Sequence, residues 1–125
     1  MIVTSGYILS GVISAGIIFI GLRFFLTPYT AATDFGVAVA PDVHWSAFLS
    51  VKAIRDIASG LFIAILMLTR SPHVLGWFML AATLIPLTDA TIVLNHDGAK
   101  TIAYRIHGST AAIMLLTSAL LLFGG

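Results

Sequence analysis

The chain has 125 residues, the length of one modest domain, with 59% of them apolar and only 9% charged. A soluble domain carries about 25% charged residues. This composition, with a mean hydropathy of +1.08, cannot clothe a water-facing surface and excludes a soluble enzyme. Charge this sparse equally excludes disorder. The lack of cysteine excludes a disulfide scaffold, thiolate metal centres and cysteine nucleophiles, and a net charge of +1 leaves no basic patch for nucleic acid.

Residues Met1 to Leu22 carry no charge, and the run continues past Arg23 to Leu26. At about 20 residues per hydrocarbon core this is a spanning helix, expected over residues 3–26. It has neither a basic start nor a small-residue cleavage site, so it reads as structure rather than as a signal peptide. Gly6, Ser10 and Ser14 recur at four-residue steps beside Gly11 and Ala15, spacing that lets helices approach closely in lipid, within one bundle or across a homodimer. A long loop follows from Thr27 to His44, holding Pro28 and Pro41. Its length fits a lid, or a surface-lying or re-entrant segment. The second span, residues 45–69, is interrupted by Lys52, Arg55 and Asp56. After a tight turn at Arg70-Ser71-Pro72-His73, the third span (74–95) contains Pro86 and Asp89. The Asp97-Gly98 turn leads into the fourth, residues 102–123, with a second small-residue face at Gly108, Ser109, Ala111 and Ala112. The expectation is one all-α domain over residues 1–125, an integral membrane four-helix bundle.

Four spans put both termini and Arg70 on one side, A, and the loops around Asp34 and Lys100 on the other, B. Side B holds Lys100 with Arg23 and Arg105 flanking it, which places it in the cytoplasm by the positive-inside rule, with the termini outside. The expected location is a multi-pass position in a bacterial inner (plasma) membrane.

All five aspartates, five of the six Lys and Arg, and three of the four histidines fall in the side-B half or its loops. At 1.5 Å per residue, Asp56 lies roughly 16 Å into its helix, Asp89 roughly 9 Å and His107 about 7 Å, whereas Arg23, about 5 Å in, is shallow enough to snorkel. Charges at such depth cost about 2.5–3.5 kcal/mol each on insertion scales and mark interior, functional positions. Lys52, Arg55, Asp56 and Ser59 stand on one face of helix two, and Tyr104 shares a face with His107 on helix four. The ring of Pro86 frees a backbone carbonyl near Asp89. A polar chamber opening toward side B is expected where these helices meet.

The pieces Arg23-Phe24, Pro28, Ala31-Ala32 and Phe35-Gly36-Val37 are followed along the chain by Lys52-x-x-Arg55-Asp56-x-x-Ser59-Gly60, Leu75-Gly76-Trp77 and Ile85-Pro86-x-x-Asp89. With His96-x-Gly98-x-Lys100-x-x-Ala103-Tyr104-x-x-His107-Gly108, the set resembles a family known from bacteria and fungi, domain of unknown function 4267. The likeness runs from about Gly21 to Leu121. It implies a four-helix membrane protein whose characteristic positions are these polar ones, and it implies no reaction.

Two readings compete for the polar groups. Lys52 and Asp56 at i, i+4 form an ion pair that either locks helix two or belongs to a ligand site, and a buried pair is weak evidence for stability. As a site, Asp56 among cations is the general base or electrostatic stabiliser. Asp89, in an uncharged stretch, is the general acid, and His107 and Tyr104 relay or orient protons. Arg23, Lys52, Arg55 and Tyr104 are then substrate-binding residues. The matching activity is acid–base isomerisation, cyclisation or ring-opening of a lipophilic small molecule arriving from the bilayer. No cofactor is expected, and no metal: His96, His107, Asp89 and Asp56 offer nitrogen and oxygen ligands without a fixed ligand spacing. One alternative is a small oligomeric proton-linked transporter, although helix one lacks an acid. Another is a structural or assembly subunit of a membrane complex.

Overall fold

In lipid a backbone must satisfy its own polar groups, and an uncharged run does so as a helix. The computed structural model describes residues 1–124, and α1 occupies Ile2–Leu26 without a break. A short α2 (Pro28–Phe35) follows, opened by Pro28 and closed by Gly36 at φ 112°, the left-handed geometry glycine adopts at helix ends. The segment from Thr27 to His44 is therefore part helix and part extended chain. Asp42 starts α3 (Val43–Leu68), its carboxylate accepting a hydrogen bond from the His44 N–H at 2.7 Å. Pro72 begins α4 (Pro72–Ala82), which breaks at Thr83 before α5 (Leu84–Asn95). Pro86 has no N–H for the Ala82 carbonyl four residues back, so the ladder cannot continue through the break. The last rod consists of α6 (Lys100–Ile102), a π-helical stretch Ala103–Gly108, and α7 (Ser109–Phe123). There is no strand among the described residues.

Three rods are long and apolar enough to cross a membrane: Ile2–Leu26, Pro72–Asn95 and Lys100–Phe123. The fourth, α3, is as long at 26 residues but carries Lys52, Arg55 and Asp56 within about one turn. Its outer surface is nonetheless apolar, with Phe48, Ile54, Leu61 and Ile65 all exposed. The outside of the bundle is apolar, and its interior mixes an apolar core with buried hydroxyls. Ser10, Ser14, Thr117 and Ser118 are buried while Phe19, Leu22, Trp77, Leu84 and Leu116 face outward. Water would penalise so apolar an outer surface, whereas lipid accepts it and leaves the buried hydroxyls to bond between helices. The protein is an all-α integral membrane bundle.

Small residues bring the helices together. Gly21 lies against Ala53 and Ile57, and Gly60 against Ser14 and Ile18, so α1 and α3 run antiparallel in close contact. The Ser14 hydroxyl donates to the Gly60 carbonyl at 2.7 Å across that seam, and Ser118 donates to the Gly76 carbonyl at 3.0 Å between α7 and α4. The first small-residue face is thus used within the chain. At the side-A end α1 packs on α7 and α3 on α4, around a core of Ile13, Ile63, Leu75, Met79, Met114 and Leu121. Toward side B the two halves part. The α1–α3 pair diverges from α5 and the π stretch, and α2 lies beside the gap with Ala31 and Ala32 buried near Phe24 and Ala53.

Candidate functional site

The gap between the diverging halves is a cavity of about 120 Å³. Its walls are mostly apolar, including Ile17, Ile63, Phe78, Ile85 and Met114, and its polar groups come from three rods: Lys52, Asp56 and Ser59 on α3, Asp89 on α5, and His107 and Thr110 on the last rod. Ala82 and Pro86 line it too, so the break between α4 and α5 falls at its wall.

Lys52 donates to Asp56 at 2.9 Å, one helical turn away. Its ammonium also lies 4.8 Å from the ring centroids of both Phe24 and Phe35. A cation over two aromatic faces with a carboxylate on a third side is electrostatically well matched. The Lys52 charge is thereby spent within the protein. The two rings meet edge to face, with centroids 6.3 Å apart.

Phe35 reaches this position because α2 is tied down at several points. His107 Nε2 donates to the Phe35 carbonyl at 2.8 Å, and the two rings lie 4.5 Å apart. A carbonyl only accepts, so Nε2 carries the proton; in the neutral imidazole Nδ1 is then an acceptor. Among the described residues Nδ1 has no hydrogen-bond partner. Gly36 sits where a Cβ would press on Val93 and Ile102, and Gly98 packs against the Gly36 carbonyl, which seats the end of α2 on the turn before α6. Arg23 pairs with Asp34 at 2.6 Å on the outer side of α2, and the Tyr29 hydroxyl donates to the Asp42 carbonyl at 2.9 Å.

Asp89 differs from every other charged group in the walls. No ion pair or hydrogen bond to its carboxyl occurs among the described residues, although it is half-buried and faces the cavity. A carboxyl left without a direct protein partner at this depth carries a solvation cost that Lys52 and His107, which line the same cavity without bonding to it, offset only in part.

The structure brings Asp56, Asp89, His107 and Lys52 together and leaves Arg23, Arg55 and Tyr104 outside. Arg55 is exposed on the flank of α3, because three residues along a helix is enough to rotate it off the cavity wall. Arg23 holds α2 instead of facing the chamber. Tyr104 is 63% exposed while His107 is buried. The expected shared face assumed α-helical phase, and the π turn, with more residues per turn, splays positions three apart. Among the described residues no three His, Asp or Glu side chains are grouped to hold a metal ion. Reading the sequence missed the parts played by Phe24 and Phe35. The available signal was Pro28 and Gly36 at helix-start and helix-stop spacing, which marks α2 and puts Phe35 at its end.

A family model described as Domain of unknown function (DUF4267) matches residues 14–121. No curated protein and no solved structure matches the chain.

Proposed function

The chain belongs to the DUF4267 family, and we propose that it binds a lipophilic small molecule within the membrane and performs acid–base chemistry on it: isomerisation, cyclisation or ring-opening. The observation that carries this reading is Asp89, a partnerless carboxyl facing the same cavity as Asp56 and His107. A fold selected for packing alone would have an apolar residue there. In the proposed mechanism Asp89 exchanges a proton with the ligand, Asp56 with its Lys52 partner stabilises the charge that develops, and the imidazole of His107 receives or returns the proton at Nδ1. The apolar walls exclude water, and the space between the helix pairs admits the molecule sideways from the bilayer. On the positive-inside rule side B, with Lys100, Arg23 and Arg105, faces the cytoplasm.

Mass spectrometry of gently purified protein, intact and after solvent extraction, tests this. The expected result is a specific lipophilic molecule on the wild type that is lost or chemically altered in Asp56→Asn and Asp89→Asn, both of which still fold. Identical extracts from all three proteins would remove the support for a site here. A partner protein in the intact spectrum without any small molecule would favour an assembly role.

A further inference from the structure

The arrangement of donors and acceptors in the cavity restricts what its occupant looks like. Four of the lining groups are ionisable, and they are not equally free. The ammonium of Lys52 is the only Lys or Arg cation among the cavity-lining residues, and it is enclosed by the Asp56 carboxylate at 2.9 Å and the faces of Phe24 and Phe35 at 4.8 Å each. An anionic ligand would therefore meet two carboxyl groups and no unengaged Lys or Arg. Like-charge contact in a site of low dielectric is strongly unfavourable. On the free side stand the Asp89 carboxyl and His107 Nδ1, the second an acceptor whenever the neutral ring donates through Nε2 to the Phe35 carbonyl. Nδ1 calls for a hydrogen-bond donor on the ligand, and the Asp89 carboxyl keeps an acceptor oxygen for that donor whether or not it carries the proton it exchanges.

Size and shape narrow it further. An apolar cavity of about 150 Å³ holds one benzene, and this one, at about 120 Å³, is of that order. The space encloses a head the size of one ring or a short branched chain, and any longer portion must lie elsewhere. The rim shows where. Ile20 on α1, Ile85 on α5 and Ile106 in the π stretch line the cavity and are each 45–49% exposed, so the apolar lining continues onto the outer surface between the helix pairs.

We infer that the occupant is a lipophilic molecule that enters head first between the helix pairs, its small head carrying a hydroxyl or amine donor and no negative charge, held by Asp89 and His107 while its apolar remainder stays in the bilayer. This inference rests on the ligand-site reading above and specifies the class of ligand. Hydroxyl and amine heads share the donor chemistry, and the experiment separates them.

The probes are 4-hexylphenol, 4-hexylbenzylamine, hexylbenzene and 4-hexylbenzoate, measured by equilibrium partition into phosphatidylcholine nanodiscs holding the protein, with empty discs subtracted. The phenol or the amine is expected to bind at least tenfold more tightly than hexylbenzene, with the benzoate weakest. Whichever of the two binds better identifies the head. In Asp89→Leu and in His107→Phe the preference for the donor over hexylbenzene should drop below about threefold. Binding of hexylbenzene equal to that of the phenol and the amine, or a benzoate that binds as well as they do, overturns the inference and leaves the cavity reading standing. If no probe binds wild-type protein above the empty-disc level, both the inference and the ligand site are refuted. The wild-type panel decides the question even where a variant fails to fold.

Discussion

Gly60 tests the seam on which the side-B geometry depends. A Cβ at this position would lie 2.8 Å from the Ser14 carbonyl oxygen and 2.5 Å from Ile18 Cγ1. Ordinary contact begins near 3.4 Å, so Gly60→Ala must push α1 and α3 apart by roughly half an ångström. The obstructing oxygen belongs to a helix backbone and cannot rotate away as a side-chain tip does. Separation also stretches the Ser14 hydrogen bond to the Gly60 carbonyl, now 2.7 Å long. Overpacking costs about 1–3 kcal/mol, and an interhelical hydrogen bond in a membrane protein adds about 0.6 kcal/mol on average. The expected loss is about 2–3 kcal/mol in equilibrium unfolding from mixed micelles. Gly16 is the control: on α1 a Cβ there meets nothing within 4 Å, and Gly16→Ala should leave stability unchanged or slightly higher. Equal stability of the two variants would refute the close-approach argument.

Further predictions concern the site and its cover. Lys52→Met should cost about 1–3 kcal/mol, less than a fully buried pair because the side chains are 28% and 16% exposed, and Lys52→Met with Asp56→Leu should recover most of it; a double variant as unstable as the single contradicts the pairing. Gly36→Ala forces a side chain into φ 112° and against Val93, so thermal unfolding should report a loss of about 1–3 kcal/mol, whereas a neutral result would mean the end of α2 is not seated as described. Arg23→Met removes a largely exposed ion pair and should change global stability by less than about 1 kcal/mol while raising amide exchange in α2. Unchanged exchange there would show that the pair does not hold the helix.

Much of this architecture was legible in the sequence, for physical reasons. A run with no charge from Met1 to Leu22 has one stable form in lipid, and α1 takes it. Asp56, Asp89 and His107 were traceable to one chamber because a fixed rise puts all three inside the side-B half of their helices, where inward-facing groups can meet. Rotation about the axis was less legible. Arg55 at i+3 from Lys52 marks the edge of a face, and the structure puts it on the outside. Tyr104 fell outside the expected face because nothing in the pattern around Ala103-Tyr104-Arg105-Ile106 announces the π turn, which packs against α5. Phe35 was hidden in a loop of mild composition, since what gives it a role is the tertiary contact of its ring with Lys52 and of its carbonyl with His107.

Asp89→Leu puts the central claim to its most direct test. If Asp89 is retained for a ligand and contributes nothing to the fold, replacing it removes a solvation cost and should stabilise the protein by about 1–3 kcal/mol. The same variant should lose the molecule that co-purifies with the wild type. Stability and solvent-extracted content are to be measured on one preparation. A variant that is more stable and empty is the predicted result. A destabilised variant, or a stable one that retains the same molecule, would contradict the account.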